Sequence, residues 1–131
     1  MYIDKLKKLN KKAIINGDIP VSCLIVKNGK IISKGYNKKY KTNNPLAHAE
    51  IIAIKKACKK LKTPNLIECE MYVTLKPCSM CQEIIKESKI KKVYYILDKT
   101  KIVKNKIEFK KLEIDNKYFI DELKKFFLNK R

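Results

Sequence analysis

The segment MYVTLKPCSMC, residues 71–81, places two cysteines directly after a β-rich run and a proline. Its first five residues have the aromatic and β-branched content of a largely buried strand, which we predict over residues 69–75. Pro77 separates that strand from a helix, and Cys78 and Cys81 fall at positions i and i+3 on one face of its first turn. Both thiolates can therefore reach one cation, and the helix amino terminus is expected to favour their anionic form.

A third ligand is offered by the tripeptide His48-Ala49-Glu50, which contains the only histidine of the chain. One imidazole and two thiolates make three ligands and leave the fourth tetrahedral position of a zinc ion for water, as in catalytic zinc sites. Glu50 lies about 200° from His48 on a regular helix, so we do not expect it to be a ligand as well. Near a helix start its carboxylate can reach the bound water and act as a base. The pattern predicts one Zn²⁺ per chain, held by His48, Cys78 and Cys81, with Glu50 as the catalytic residue.

Two other interpretations of the cysteine pair stay open, because C-x-x-C also occurs in structural zinc clusters and in thiol redox sites. A closed cluster needs a fourth ligand, from Cys23, Cys58, Cys69 or a carboxylate. Cys23 lies in an apolar strand pattern and Cys58 lies late in a helix, so we predict both as small core residues, while Cys69 is left open. Against a redox site, no glycine-proline turn separates the two cysteines.

The length and composition predict a single domain over residues 1–131. The chain is 45% hydrophobic, which is ordinary for a folded protein of this size. It contains no apolar stretch of the roughly 20 residues that cross a bilayer and no signal-peptide pattern. Five cysteines, with two assigned to a metal, favour a reducing compartment. We therefore expect a cytoplasmic protein without membrane association, with an organelle as the alternative compartment.

The charge of the chain has two interpretations. Its formal net charge is +19, which is typical of nucleic-acid-binding proteins. However, 32 residues are basic and only Arg131 is arginine, and isoleucine and asparagine are also abundant. AT-rich coding produces the same pattern without selection for RNA binding, so charge alone does not decide between them.

The hydrophobic pattern predicts an α/β protein with a mixed sheet. The predicted elements are a helix over 2–16, strands over 21–26 and 30–36, a loop over 37–45, a helix that begins around His48 and continues to Leu61, a strand over 69–75, a helix after the cysteine turn, and a strand over 92–97. Asn28-Gly29 is a hairpin signal between the first two strands. The later strand–helix–strand order predicts a parallel crossover, with both helix starts at one sheet edge. Residues 101–113 are either a fifth strand or an irregular crossing, and Asp115 or Asn116 caps a final helix.

The combination of H-x-E with P-C-x-x-C is the signature of zinc deaminases. Within that superfamily, which also includes cytidine and deoxycytidylate deaminases, the chain resembles the bacterial tRNA-specific adenosine deaminase family. The likeness runs over residues 19–100, resumes near the carboxyl end, and rests on IPVSCLIV, GYN, NNPLAHAEIIAI and MYVTLKPCSMC. It implies a three-layer α/β/α cytidine-deaminase-like fold with a mixed sheet of about five strands. It also implies a homodimer that converts the wobble adenosine of a tRNA anticodon loop to inosine.

The resemblance implies further residues in contact with the substrate. Asn37 would hydrogen-bond the flipped base, the Ala49 backbone amide would meet its edge, and Pro77 would shape the pocket wall. Asn37 also has a simpler interpretation, as a turn residue after a strand. The residues that the resemblance places against RNA are Asp98, Lys99, Thr100, Phe127, Lys130 and Arg131.

The chain departs from this family where RNA recognition is concerned. Lys76 stands where the family usually has glutamate, and the glycine-rich stretch expected after Thr100 is truncated and replaced by lysines. Two other functions therefore stay open. One is deamination of a free base, nucleoside or nucleotide, of the guanine, cytidine or dCMP type. The other is a non-catalytic, zinc-stabilised RNA-binding or accessory subunit, for which a carboxylate at Glu50 has no evident use.

Overall fold

The computed structural model describes residues 2–98 and 115–129, apart from the side chain of Phe119. Contacts divide the chain into two compact units, Met1–Lys101 and Ile102–Arg131. The single domain expected from length stays a prediction. The expected fifth strand or crossing at residues 101–113 lies outside the described residues.

The first unit contains the predicted helices and strands, with bounds that agree to within a few residues. They are α1 (Tyr2–Ile15), β1 (Ser22–Lys27), β2 (Lys30–Tyr36), α2 (Lys39–Thr42), α3 (Ala49–Leu61), β3 (Cys69–Leu75), α4 (Ser79–Glu87) and β4 (Lys92–Leu97). Helix α2 is a single turn inside the segment predicted as a loop. In the second unit, α5 (Lys117–Asn129) follows Asp115, whose Oδ1 accepts a hydrogen bond from the Lys117 N–H at 3.0 Å.

The four described strands form a mixed sheet in the order β2-β1-β3-β4. β1 pairs antiparallel with β2 and with β3, whereas β3 and β4 are parallel and are joined through α4. Asn28 and Gly29 have φ values of 51° and 76° and form the two-residue turn between the paired Lys27 and Lys30. The predicted hairpin, parallel crossover and mixed sheet are confirmed, with four described strands where about five were expected.

Helices cover both faces of this sheet, which confirms the three-layer prediction. On one face, Leu6 and Leu9 of α1 pack with Leu24 and Val26 of β1. The alternate residues of β1 point to the opposite face, because successive side chains of a strand alternate. There they join the larger core under α3 and α4, which includes Cys23, Ile25, Ala49, Ala53, Ala57, Met71, Val73 and Ile85.

Helix α3 lies unusually close to β2 at Gly35. A Cβ atom at Gly35 would lie 2.9 Å from the Ala53 nitrogen and closer still to the Ala49 carbonyl oxygen. The Ser33 hydroxyl donates to the Ala53 carbonyl at 2.7 Å, so a second contact fixes the same stretch of helix. Glycine within a strand often marks such a close backbone approach. The contact determines where α3 begins, and therefore the positions of His48 and Glu50.

We predict that Gly35→Ala displaces the start of α3, because backbone atoms cannot yield to the new methyl group as a flexible side chain would. Strain of this kind typically costs about 1–3 kcal/mol of unfolding free energy, measured by urea denaturation. We also expect zinc content, measured by mass spectrometry of the metal, to fall. The matched control is Ser33→Ala, which removes a contact to the same helix without adding atoms. If Gly35→Ala kept full zinc content, the close approach would not be what positions the site.

Candidate metal centre

Two of the predicted ligands occupy the positions that immediately precede helices. His48 is the N-cap residue of α3 with φ −75° and ψ 149°, and Cys78 is the N-cap residue of α4 with φ −66° and ψ 167°. An N-cap is usually Ser, Thr, Asp or Asn, whose side chain accepts a hydrogen bond from the first turn. Neither the His48 nor the Cys78 side chain does so. Both side chains instead turn to each other and to Cys81.

The three predicted ligand groups converge with the spacing that zinc requires. His48 Nδ1 lies 3.5 Å from Cys81 Sγ and 3.9 Å from Cys78 Sγ, and all three ligand atoms lie within 4.8 Å of one another. Zinc–sulfur bonds of about 2.3 Å and zinc–nitrogen bonds of about 2.0 Å at a tetrahedral angle give nitrogen–sulfur separations of about 3.6 Å. The residues therefore fit a tetrahedral zinc ion. Among residues 2–98 and 115–129, this group has three members and no fourth.

Burial dominates the protonation of Cys81, which is fully buried. Desolvation raises the pKa of its thiol, and the nearby Glu50 carboxylate and Cys78 raise it further. Burial therefore opposes the thiolate form that the helix amino terminus is expected to favour. Binding of zinc at this residue requires loss of the thiol proton.

Glu50 lies in the first turn of α3, is only 4% exposed, and lies close enough to Cys81 for its carboxylate to raise the pKa of that thiol. The separation from His48 expected on a regular helix does not keep the two apart, because His48 is extended rather than helical. His48 and Glu50 therefore both lie near Cys81, with only Ala49 between them in the chain. Glu50 is not a member of the three-ligand group, and its role as a base stays a prediction.

The remaining cysteines are core residues rather than ligands. Cys23 and Cys69 are buried, and Cys58 packs against the same core. Cys23 lies near enough to Glu50 and Cys81 for their charges to raise its pKa, although burial is the larger cause. All five cysteines are free. Within the described part of the chain, neither a closed four-ligand cluster nor a disulfide is present.

Asn37 and Ala49, two predicted substrate contacts, hydrogen-bond each other. The Ala49 N–H donates to Asn37 Oδ1 at 2.8 Å. Asn37 thus supplies α3 with the acceptor that His48, as N-cap, does not provide. Orienting the helix start is therefore a structural task of Asn37. The contacts of Asn37 and Ala49 with a base stay predictions.

The other predicted contact residues are only partly described. Pro77 is buried directly before Cys78, and its carbonyl accepts a hydrogen bond from Gln82 Nε2 at 2.9 Å. Asp98 is exposed immediately after β4. In the second unit, the Phe127 ring packs edge-on against Phe126 and is 68% exposed. Four predicted contact residues lie outside the described residues: Lys99, Thr100, Lys130 and Arg131.

Two residues to which the sequence analysis assigned no structural role also position this region. The role of Gly35 can be predicted from sequence, because glycine inside a strand pattern suggests close backbone approach. The role of Asp18 cannot, because this residue directly follows Gly17 and has the pattern of an ordinary turn residue. It is nevertheless buried, and its two carboxylate oxygens accept hydrogen bonds from the backbone N–H groups of Tyr40 at 2.8 Å and Lys41 at 3.4 Å.

We predict that Cys78→Ser abolishes stoichiometric zinc binding, because a hydroxyl is a much poorer zinc ligand than a thiolate. Elemental analysis of the purified protein measures the zinc content. The matched control is Cys58→Ser, which alters a partly buried cysteine outside the ligand group. Full zinc content in Cys78→Ser, or an equal loss in the control, would contradict the three-ligand assignment.

Comparison with known proteins agrees with this site. The family model of the cytidine and deoxycytidylate deaminase zinc-binding region matches residues 1–97. The tRNA-specific adenosine deaminase of Aquifex aeolicus is 49% identical over 90 residues, which cover 68% of this chain and 60% of that protein. The match thus spans less than two thirds of the relative's length.

Two solved structures resemble the fold as well. One is a tRNA:A34 deaminase studied for A-to-I editing at the wobble position of transfer RNA. It has a TM-score of 0.67 and 32% identity, over 69% of this chain and 65% of that one. The other is a guanine deaminase from Bacillus subtilis, with a TM-score of 0.80 and 28% identity, over 96% of this chain and 94% of that one. With the His/Cys/Cys group and a match over the first 97 residues, the chain belongs to the zinc-binding cytidine and deoxycytidylate deaminase family.

Proposed function

We propose that this protein is a zinc-dependent hydrolase that deaminates the wobble adenosine of a tRNA anticodon to inosine. The observation that carries the proposal is the buried Glu50 carboxylate beside a candidate zinc site that has three ligands, and no fourth, among residues 2–98 and 115–129. A purely structural zinc site would be expected to have a fourth ligand. The similarity to tRNA-specific adenosine deaminases supports adenosine in tRNA as the substrate.

The residues of the site have distinct roles in this reaction. His48, Cys78 and Cys81 would hold the metal, and bound zinc acidifies water so that a hydroxide nucleophile is available near neutral pH. Glu50 would accept one proton of the attacking water and pass it to a ring nitrogen of the base, as general bases do in zinc deaminases. Once carbon 6 carries the hydroxyl group, Glu50 would take the hydroxyl proton and deliver it to the amino group, which leaves as ammonia as the carbonyl of inosine forms. The net change is adenosine plus water to inosine plus ammonia.

Asn37 is proposed to orient the base as well as α3. Its Oδ1 is engaged by the Ala49 N–H, so the amide group is held with its NH₂ as the remaining donor. An NH₂ donor suits an acceptor nitrogen of a purine ring. For the Ala49 N–H to meet the base edge as well, it must share or exchange its hydrogen bond to Asn37. Pro77, buried directly before Cys78, is proposed as part of the pocket wall.

A second candidate function is deamination of free guanine. The guanine deaminase structure matches nearly the whole chain, at a higher TM-score than the tRNA deaminase structure. The catalytic group would be the same in both reactions. Taken together with the similarity to tRNA-specific adenosine deaminases, the net charge of +19 favours a polyanionic substrate over a neutral base.

The assembly and compartment of the protein are also part of the proposal. The family resemblance supports a homodimer, and sedimentation analysis should then give about twice the 15.4 kDa mass of the chain. A monomer at micromolar concentration would contradict it.

Five free cysteines support a reducing compartment such as the cytoplasm. No helix within residues 2–98 and 115–129 is long and apolar enough to cross a membrane.

We predict that the zinc-loaded protein forms inosine when incubated with an unmodified tRNA that has adenosine at the wobble position. Nucleoside mass spectrometry after digestion measures inosine, and a parallel incubation with guanine measures xanthine. Xanthine without inosine would select the second candidate. The absence of both products from a zinc-loaded, folded protein would favour a non-catalytic subunit.

We predict that Glu50→Gln lowers the rate of deamination by about 10²–10⁴-fold, which is the usual contribution of a general base. Glutamine keeps the size of the side chain but cannot accept the proton of water. Zinc content and the urea midpoint should stay near those of the unchanged protein. Loss of activity with zinc retained would show that Glu50 acts in catalysis. Loss of zinc together with activity would mean instead that Glu50 stabilises the metal site.

A further inference from the structure

The segment between Asn37 and His48 forms a closed loop at the metal centre. The Lys38 N–H donates to the Ala47 carbonyl at 2.9 Å, which joins the two ends of the loop. Beyond this closure, Asn37 contacts the start of α3 and His48 faces the two cysteines. The loop therefore begins and ends beside the metal centre, and the side chains that it exposes are attached at that place.

Helix α2 lies within this loop and is held by a buried charge. The Asp18 carboxylate is 6% exposed and accepts the N–H groups of Tyr40 and Lys41. A buried carboxylate is costly to desolvate unless it is hydrogen-bonded in this way. Asp18 comes from the turn before β1, so the contact ties α2 to a separate part of the chain. Such an anchor fixes an exposed turn in one position, which matters if the turn binds a partner.

The surface presented by α2 is aromatic and basic. The Tyr40 ring is 61% exposed, and the Lys39 ammonium lies 5.4 Å from its centroid. The surrounding sequence is uniformly cationic, because residues 19–49 contain six lysines and no aspartate or glutamate. The Asp18 carboxylate, which packs against α2, is buried and hydrogen-bonded by backbone N–H groups rather than exposed.

We propose that Tyr40 and the lysines of α2 form a docking platform for the single-stranded RNA that flanks the reacting nucleotide, with Asp18 as a positioning residue. The inference rests on the proposed function. An adenosine must leave its stack to reach a buried catalytic centre, which leaves neighbouring bases unstacked. An exposed aromatic ring stacks such a base, and adjacent lysines neutralise its phosphates. A protein partner would not require this excess of positive charge.

The test compares tyrosine variants on an anticodon stem-loop RNA. Tyr40→Ala should raise KM for the RNA, and Kd by fluorescence anisotropy, by about tenfold, in the range of one lost base–aromatic stack. The kcat and the zinc content should not change. Tyr40→Phe should behave as the unchanged protein, since stacking needs the ring and not the hydroxyl. The control is Tyr94→Ala, which removes a half-exposed ring stacked on Tyr72, on the sheet face that α1 covers.

The role of Asp18 is tested in the same assay. Asp18→Ala should raise KM about as much as Tyr40→Ala, and the double variant should be no worse than either, because both changes disable one platform. Asp18→Asn, which keeps one carbonyl acceptor, should restore part of the affinity. Additive losses would overturn the positioning role, and an unchanged KM in Tyr40→Ala would overturn the platform.

Failure of the platform and failure of the proposed function give different results. If the unchanged protein makes inosine and Tyr40→Ala has the same KM, the function holds and the platform is rejected. If the unchanged protein makes no inosine, the proposed function fails. Anisotropy with the same RNA then still decides the platform, since binding does not depend on turnover.

Discussion

The contact between the first turns of α3 and strand β2 is the constraint on which the metal centre depends. At Gly35 the helix backbone comes so near the strand that no side chain fits between them. Ser33 and Asn37, on either side of Gly35, hydrogen-bond Ala53 and Ala49 of the same helix. Three contacts from one short stretch thus fix the rotation and height of α3 on the sheet. His48 and Glu50, which sit at its start, inherit that position.

The second half of the centre is positioned by a different part of the sheet. The parallel pairing of β3 with β4 continues to the Lys76 N–H, which donates to the Leu97 carbonyl at 2.8 Å. Pro77 and Cys78 follow immediately, so the end of the ladder sets where α4 begins. β1 lies between β2 and β3 and is paired with both. The pairing of β2, β1 and β3 in the sheet therefore sets the distance between the starts of α3 and α4.

The same arrangement is unfavourable without a cation. The His48 and Cys78 side chains do not cap their own helices, an acidic side chain is buried beside a buried thiol, and the pKa of that thiol is raised. A divalent ion would offset the cost of burying the carboxylate and the thiol, because it would bind the imidazole and sulfurs directly and attract the carboxylate. Local rules of helix formation are broken here at functional residues, as is usual for active sites. Zinc binding and the stability of this edge of the sheet are thus linked.

The sequence predicted the features that depend on local pattern. Alternating and helical periodicity located the elements of the first unit, Asn28-Gly29 located the hairpin, and the chemistry of one histidine and two spaced cysteines located the metal centre. It missed features that depend on tertiary contact. The protonation of Cys81 follows from burial that no spacing reveals, and the Asp18 contact joins residues 22 positions apart. Helix α2 was missed for the same reason, since its lysine-rich sequence has no apolar face and Asp18 supplies its support.

The difference between the features that the sequence predicts and those that it misses is relevant to substrate choice. On the proposed mechanism, the His/Cys/Cys group and Glu50 would perform the same hydrolysis on any amino-substituted ring that enters, so they would not distinguish tRNA from a free base. Discrimination would then come from groups outside the reacting atoms, whose contacts add binding energy only for the larger substrate. In the described part of the chain, the exposed Tyr40 ring and the lysines of α2 are the groups proposed for this role, and Asp18 hydrogen-bonds the backbone of α2 through contacts that the chemistry does not need. An enzyme for a small neutral base gains nothing from that anchor, whereas an enzyme for a folded polyanion gains affinity without altering its catalytic centre.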